Sequence, residues 1–119
     1  MAYFILLLGI IIIIIFNIII NNNHPPENFP TNKIIIYNFN TSWCTYSIKF
    51  QPIWDKFSKL VNNSNIKIND IKCDQEDNIV LCNKYNIPGY PSVVKVTSSG
   101  YELYQGPRSV DGLLNFIKT

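Results

Sequence analysis

The spacing of apolar positions divides the chain into two unlike parts. Ala2 to Ile20 reads AYFILLLGIIIIIIFNIII, with no charge and one polar side chain, Asn17. As a helix rising 1.5 Å per residue, a run of this length spans about 28 Å, close to the apolar thickness of a bilayer. In lipid, unpaired backbone groups are so costly that an isolated segment must be helical. The run therefore predicts a transmembrane anchor over residues 2–20. A cleaved secretory signal is the alternative, but no Lys or Arg precedes the run and no small-residue cleavage pattern follows it. A third reading is a buried core helix. Residues 21–32 (NNNHPPENFPTN) form a linker, because three prolines and many asparagines resist helix and strand alike. His24 in this linker is expected to be a solvated side chain, not a metal ligand.

From residue 33 the pattern is that of a small α/β domain reaching residue 119. Lys33–Asn40 (KIIIYNFN) is a buried strand by its β-branched and aromatic run. Ile48, Phe50, Ile53, Trp54, Phe57, Leu60 and Val61 recur at helical spacing and predict a helix from Thr45 to Val61, with Pro52 kinking it from inside. Ile66–Cys73 predicts a second strand, Glu76–Tyr85 a short helix and Ser92–Thr97 a third strand. Ser98-Ser99-Gly100 is a hairpin turn leading to a strand at Tyr101–Gln105. Ser109–Ile117 is a closing helix with Leu113, Leu114, Phe116 and Ile117 on or near its inner side. The order β-α-β-α-β-β-α implies one parallel pair across the crossover helix and one antiparallel hairpin.

Composition narrows the function classes. The 119 residues hold 10 basic and 8 acidic side chains, a formal net charge of +2. No basic face emerges to suggest nucleic acid. Beyond the apolar run some 99 residues remain, enough for one small domain. Three cysteines, Cys44, Cys73 and Cys82, are too few for a disulfide scaffold, and the odd count leaves at least one without an intrachain partner. Two cysteines without further ligands make no zinc site. Asn40-Thr41-Ser42 and Asn62-Asn63-Ser64 fit the glycosylation tripeptide, a pattern that arises easily in an asparagine-rich chain.

From Lys33 to Thr119 the sequence resembles a thioredoxin-fold domain of the protein disulfide isomerase type. Tyr37-Asn38-Phe39 followed by Trp43-Cys44 falls where that family has its central strand and active-site Trp-Cys. Pro52 falls where members kink the active-site helix. Lys84 to Pro91 (KYNIPGYP) is similar to the segment ending in the family's cis-proline, which maps to Pro91. Tyr104 to Arg108 (YQGPR), followed by the last helix, resembles the end of isomerase domains. The resemblance implies a mixed sheet flanked by helices. It has four strands, or five if the strand that opens many members is retained in reduced form.

Two departures bear on chemistry. The family motif is C-x-x-C, whereas this chain has Cys44-Thr45-Tyr46-Ser47. The family also keeps a buried carboxylate six residues before the first cysteine, where this chain has Asn38. The resemblance gives that acid the proton of the second, resolving thiol. The parts that release a mixed disulfide are thus missing together, while those that form one remain. Cys44, at a helix N-terminus, should have a lowered thiol pKa, since free amides and the helix dipole stabilise a thiolate. Ser47 lies one turn on and can hydrogen-bond that thiolate but cannot resolve a mixed disulfide. The resolving thiol must come from the substrate, glutathione or another protein. Trp43, Tyr90 and Pro91 are expected to form an apolar rim for an extended client peptide. Arg108 reads as a surface or structural ion-pair residue.

The resemblance further implies a structural disulfide between Cys73 and Cys82; two buried free thiols are the alternative. Such a bond persists only in an oxidising compartment, which places the soluble domain of a single-pass membrane protein on the extracytoplasmic or lumenal side. The leading expectation is a monothiol protein acting on thiol- or disulfide-containing clients through Cys44, with no cofactor and no metal. A redox-inactive peptide-binding module is the alternative. A glutathione-dependent, glutaredoxin-like enzyme is a third reading, against which the chain shows no clear glutathione-binding pattern.

Overall fold

A computed structural model describes residues 2–21, 29–61 and 63–118. The segment 22–28, with His24 and most of the proline-rich linker, lies outside the described residues. The first element is helix α1, Ala2–Asn21. Within it Asn17 Nδ2 donates to the Ile13 carbonyl one turn back at 2.8 Å. None of the window Ala2–Ile19 is buried against the rest of the chain, and by length and composition it suffices to cross a membrane. That exposure overturns the core-helix reading, since a core helix of this composition would bury its side chains.

The remaining elements are β1 (Ile34–Asn40), α2 (Thr45–Leu60), β2 (Ile66–Lys72), α3 (Ile79–Lys84), β3 (Ser92–Thr97), β4 (Gly100–Leu103) and α4 (Val110–Lys118). They build a four-stranded mixed sheet in the order β2-β1-β3-β4. The β1–β2 pair is parallel, while β1–β3 and β3–β4 are antiparallel. No fifth strand pairs outside β2 among the described residues, so β2 is a sheet edge. Gly100 opens β4 at φ 136, a left-handed value that L side chains rarely adopt, which is why the hairpin turns there.

Alternation along the strands sorts side chains onto two faces. Ile36 and Val93 meet Phe50, Trp54 and Phe57 of α2 and Leu113 and Phe116 of α4 in one core. On the other face Phe39, Val94 and Val96 pack with Cys82 of α3 and Tyr85. Burial pushes the Tyr85 hydroxyl up to about 12, with Tyr37 and Tyr101 adding to the effect.

One sequence expectation needs correction, and two sequence patterns are sharpened. Glu76–Tyr85 is not one helix: Glu76–Asn78 form a 3-10 turn before α3. Asn78 Nδ2 donates back to the Lys72 carbonyl at 3.0 Å, and that bond ties the turn to β2. Ile48 and Leu60 share the apolar spacing of α2 yet are exposed, because the sheet covers only the stripe through Phe50, Trp54 and Phe57. Asn40 is fully buried and hydrogen-bonded, so it is closed to glycosylation in the folded domain; Asn62 lies outside the described residues. Helix α2 runs through Pro52, whose ring sits on the exposed side.

Cys73 and Cys82 are joined by a disulfide that ties the end of β2 to α3. Replacing both by alanine removes a short loop constraint from the unfolded chain and is expected to cost about 2–3 kcal/mol. Urea unfolding of the two proteins would measure the difference; equal midpoints would mean that the cross-link contributes nothing.

Candidate functional site

The site begins where β1 ends. The chain leaves Asn40, crosses Thr41 to Trp43 and enters α2, with Cys44 as the N-cap residue in extended conformation (φ -78, ψ 124). At that position the first amides of the helix have no intrahelical acceptor and face the cap side chain. The Cys44 carbonyl already accepts from Ile48 N at 3.0 Å, which fixes the first turn. Cys44 is the one free cysteine and is half-buried. Its thiol is held below the usual cysteine value. The Ser47 amide is the main cause; the Tyr46 amide, the Ser47 hydroxyl and the Arg108 charge add to it, and partial desolvation opposes it.

Ser47 is 2% exposed, and its Oγ accepts from Thr41 N at 3.3 Å, leaving the hydroxyl proton for the sulfur. Across the site Cys44 Sγ lies 3.9 Å from the Tyr90 carbonyl, and the Tyr90-Pro91 bond is cis. Pro91 is buried and Tyr90 half-buried, whereas Trp43 and Tyr46 stand out into solvent at 70% and 64% exposure. The structure thus brings Cys44, Ser47 and Tyr90 together, with Trp43 on the outer side of the same loop.

Asn38, two residues before the end of β1, is fully buried, opposite Asp70 in β2 and Val93 in β3. Its Nδ2 reaches Asp70 Oδ1 at 3.4 Å, and its Oδ1 has no hydrogen-bond partner among the described residues. A neutral amide has no proton to give up and no basic site near neutrality. The carboxylate of the neighbourhood is Asp70, and it is already engaged. Asp70 accepts from Asn40 Nδ2, from Gln51 Nε2 at 3.0 Å and from Lys72 Nζ at 3.4 Å. Lys72 Nζ also donates to Gln51 Oε1 at 2.8 Å and to Asn40 Oδ1. Sequence reading missed this network between the sheet and α2. Its only linear signal is the β1–β2 register, which sets Asn38 against Asp70 and Asn40 against Lys72.

Also missed was the anchoring of the Cys44 loop. The Asn40 carbonyl accepts from Cys73 N at 2.7 Å, and Ser42 N donates to Asp74 Oδ2 at 3.2 Å. The segment that carries the disulfide therefore holds the loop that carries Trp43 and Cys44. Arg108 is an exposed surface residue, one of the two readings of it; among the described residues it makes no ion pair, and its guanidinium carbon lies over the Tyr46 ring, 5.7 Å from the centroid. The described residues hold no group of three or more His, Cys, Asp or Glu placed to bind a metal ion.

The thioredoxin family profile matches residues 18–119. The chain belongs to the thioredoxin family. As a thioredoxin domain it is of the protein disulfide-isomerase type. Over 101 residues it is 36% identical to protein disulfide-isomerase 1 of Dictyostelium discoideum, covering 77% of this chain and 27% of that protein. It is 26% identical over 96 residues to the protein disulfide-isomerase of Ricinus communis, covering 77% of this chain and 19% of that one. This thioredoxin chain therefore spans about a quarter or less of the length of these relatives. Among solved structures, the J-Trx1 fragment of ERdj5 superposes with a TM-score of 0.64 at 26% identity, covering 73% of this chain and 42% of that fragment. The zinc-bound form of human ERp44 superposes with a TM-score of 0.61 at 25% identity, covering 83% of this chain and 27% of that one.

Proposed function

We propose that this chain is a membrane-anchored monothiol domain that exchanges disulfides with client proteins, or captures them covalently, through Cys44. In this reading residues 2–20 are a single-pass anchor, 21–32 a linker, and 33–119 the thioredoxin domain on the extracytoplasmic or lumenal side. The observation that carries the proposal is a free cysteine at the N-cap of α2 with a serine, Ser47, one turn away. The Cys44 thiolate attacks one sulfur of a client disulfide. A Cys44–client disulfide forms, and the client's other sulfur leaves as a thiolate. No electrons are gained or lost overall. Release follows when that thiolate, another client thiol, glutathione or a thiol of another protein attacks the mixed disulfide. The chemistry is that of an isomerase-like thiol-disulfide exchange protein without a self-contained dithiol cycle. Trp43 and Tyr90 form the rim on which the client segment lies, with Pro91 buried behind it in the cleft wall, and the Cys73–Cys82 disulfide is structural.

The pH profile of Cys44 alkylation tests the reactive half of this reading. Only the thiolate reacts, so the rate falls as pH drops through the thiol pKa and levels off above it. The midpoint is expected below that of free cysteine. Ser47→Ala should move it upward without restoring the free value, because the Tyr46 and Ser47 amides remain. A midpoint at or above free cysteine would overturn the proposal. Trapping with a disulfide-bonded unfolded protein then reads the mixed disulfide directly.

The exposed apolar side chains of Trp43, Tyr46 and Ile48 around the cysteine favour a second reading, a redox-inactive module that holds peptides on the same surface. Client binding that survives Cys44→Ser unchanged would support it.

A further inference from the structure

A cleft of about 580 Å³ opens beside the cis-proline, walled by Phe50, Pro88, Pro91, Val93 and Leu103. Arg108 is its only charged lining residue among the described residues. The guanidinium stands at the cleft with its carbon over the Tyr46 ring, 5.7 Å from the centroid and two residues from Cys44, and no carboxylate among the described residues pairs with it. A guanidinium held over a ring by cation–π attraction still has five N–H donors, and with no carboxylate paired to it they can serve an incoming acid. The loop that presents it is pinned: Tyr104 Oη donates to the Pro107 carbonyl, and Ser109 N donates to the same oxygen at 2.8 Å. Gly112 makes room for this arrangement, since a Cβ there would collide with Tyr104 Oη.

We infer that this cleft and Arg108 form a specificity subsite for client segments that carry a carboxylate side chain beside the reacting cysteine. The apolar walls take the body of the extended segment, and the unpaired cation takes the acid. The inference rests on the proposed exchange function of Cys44 and names the substrate class of that site. The covalent step is unchanged: Cys44 attacks the client sulfur and the client's second sulfur leaves as a thiolate.

The test uses the full chain in detergent micelles. Three otherwise identical peptides carry Glu, Gln or Lys beside one cysteine, each as a mixed disulfide with the same chromophoric thiol, whose release reports attack by Cys44. The Glu peptide is expected to react about three- to fivefold faster than the Gln peptide, the size of an exposed charge pair. The Lys peptide should be slowest, and added salt should shrink the differences. Arg108→Gln should bring the Glu-to-Gln ratio to one, while Arg108→Lys should keep part of it. A ratio makes the result independent of any general change in thiolate reactivity caused by losing Arg108. Equal rates for Glu and Gln would overturn the subsite. An Arg108-dependent reaction confined to glutathione disulfide would overturn it too, since the carboxylate recognised would belong to a small thiol. Binding of the same peptides, in free-thiol form, to the Cys44→Ser variant, followed by Trp43 fluorescence, separates the two proposals. A Glu preference there with no exchange in the parent would sink the exchange function and keep the subsite. Exchange in the parent without a preference would do the reverse.

Discussion

Ser47→Cys is expected to convert a trap into a reductant. In the variant, the new thiolate at position 47 attacks the Cys44 sulfur of the mixed disulfide. The client sulfur leaves as a thiolate, and an internal disulfide between Cys44 and position 47 remains. The client has gained two electrons, so turnover would need an external dithiol to reduce the protein again. An internal thiol one turn away acts at an effective concentration in the millimolar range or above. Against micromolar external thiols, the lifetime of the mixed disulfide should fall about 10²–10³-fold. Non-reducing gels of acid-quenched reactions would follow it. The fall should be steepest at high pH, because position 47 is buried, 2% exposed, and burial holds a thiol in its neutral form. Asn38 offers it no base. Adding Asn38→Asp to Ser47→Cys should recover much of the lost rate near neutrality, since general-base assistance is worth roughly 10²-fold or more. Equal lifetimes for parent and single variant at high pH would show that position 47 does not reach the Cys44 sulfur.

Phe57→Ala is expected to bring the domain close to unfolding. Phe57 has no solvent exposure, packs 5.3 Å ring to ring from Trp54, and sits between the sheet and α4. Removing a ring from such a place forfeits its transfer energy and leaves a cavity, about 3–5 kcal/mol in all. Small natural domains hold only about 5–15 kcal/mol, so the variant would keep little of its stability. Tryptophan fluorescence during urea titration would read the shift, and Phe57→Leu, which leaves a smaller cavity and costs less, would keep the comparison measurable. A loss under about 1 kcal/mol for the alanine variant would contradict close packing of α2 on the sheet.

The sequence made the frame of the domain legible because its elements are marked locally. β1 is a run of β-branched and aromatic residues, α2 has a 3.6-residue apolar stripe, and the β3–β4 hairpin has a glycine at its turn. The four-stranded sheet followed from the order of those elements and from the resemblance, which also supplied Pro91 as a position of interest. What stayed hidden depends on residues far apart in the chain. Asp70, Lys72 and Gln51 look like ordinary surface polars until the parallel register sets them under α2 against Asn38 and Asn40. Asp74 shows its hold on Ser42 only once β2 has been laid beside β1. The partner of Arg108 proved to be an aromatic face, which charge counting cannot find. The break before α3 was missed because helix propensity does not register one side-chain hydrogen bond to a neighbouring strand.

The outer edge of β2, beside which no strand lies among the described residues, carries a further consequence. An edge strand exposes a row of unpaired amides and carbonyls that another chain can extend into a larger sheet. Confinement to a membrane by α1, as proposed, would raise the rate at which two such edges meet. Lys67, Asp70 and Lys72 punctuate the strand at intervals of two or three residues, and Lys67 and Asp70 are exposed. Edge-to-edge zippering would have to desolvate these charges. Asp70 and Lys72, which organise the polar network with Asn38, Asn40 and Gln51, would thus also oppose self-assembly.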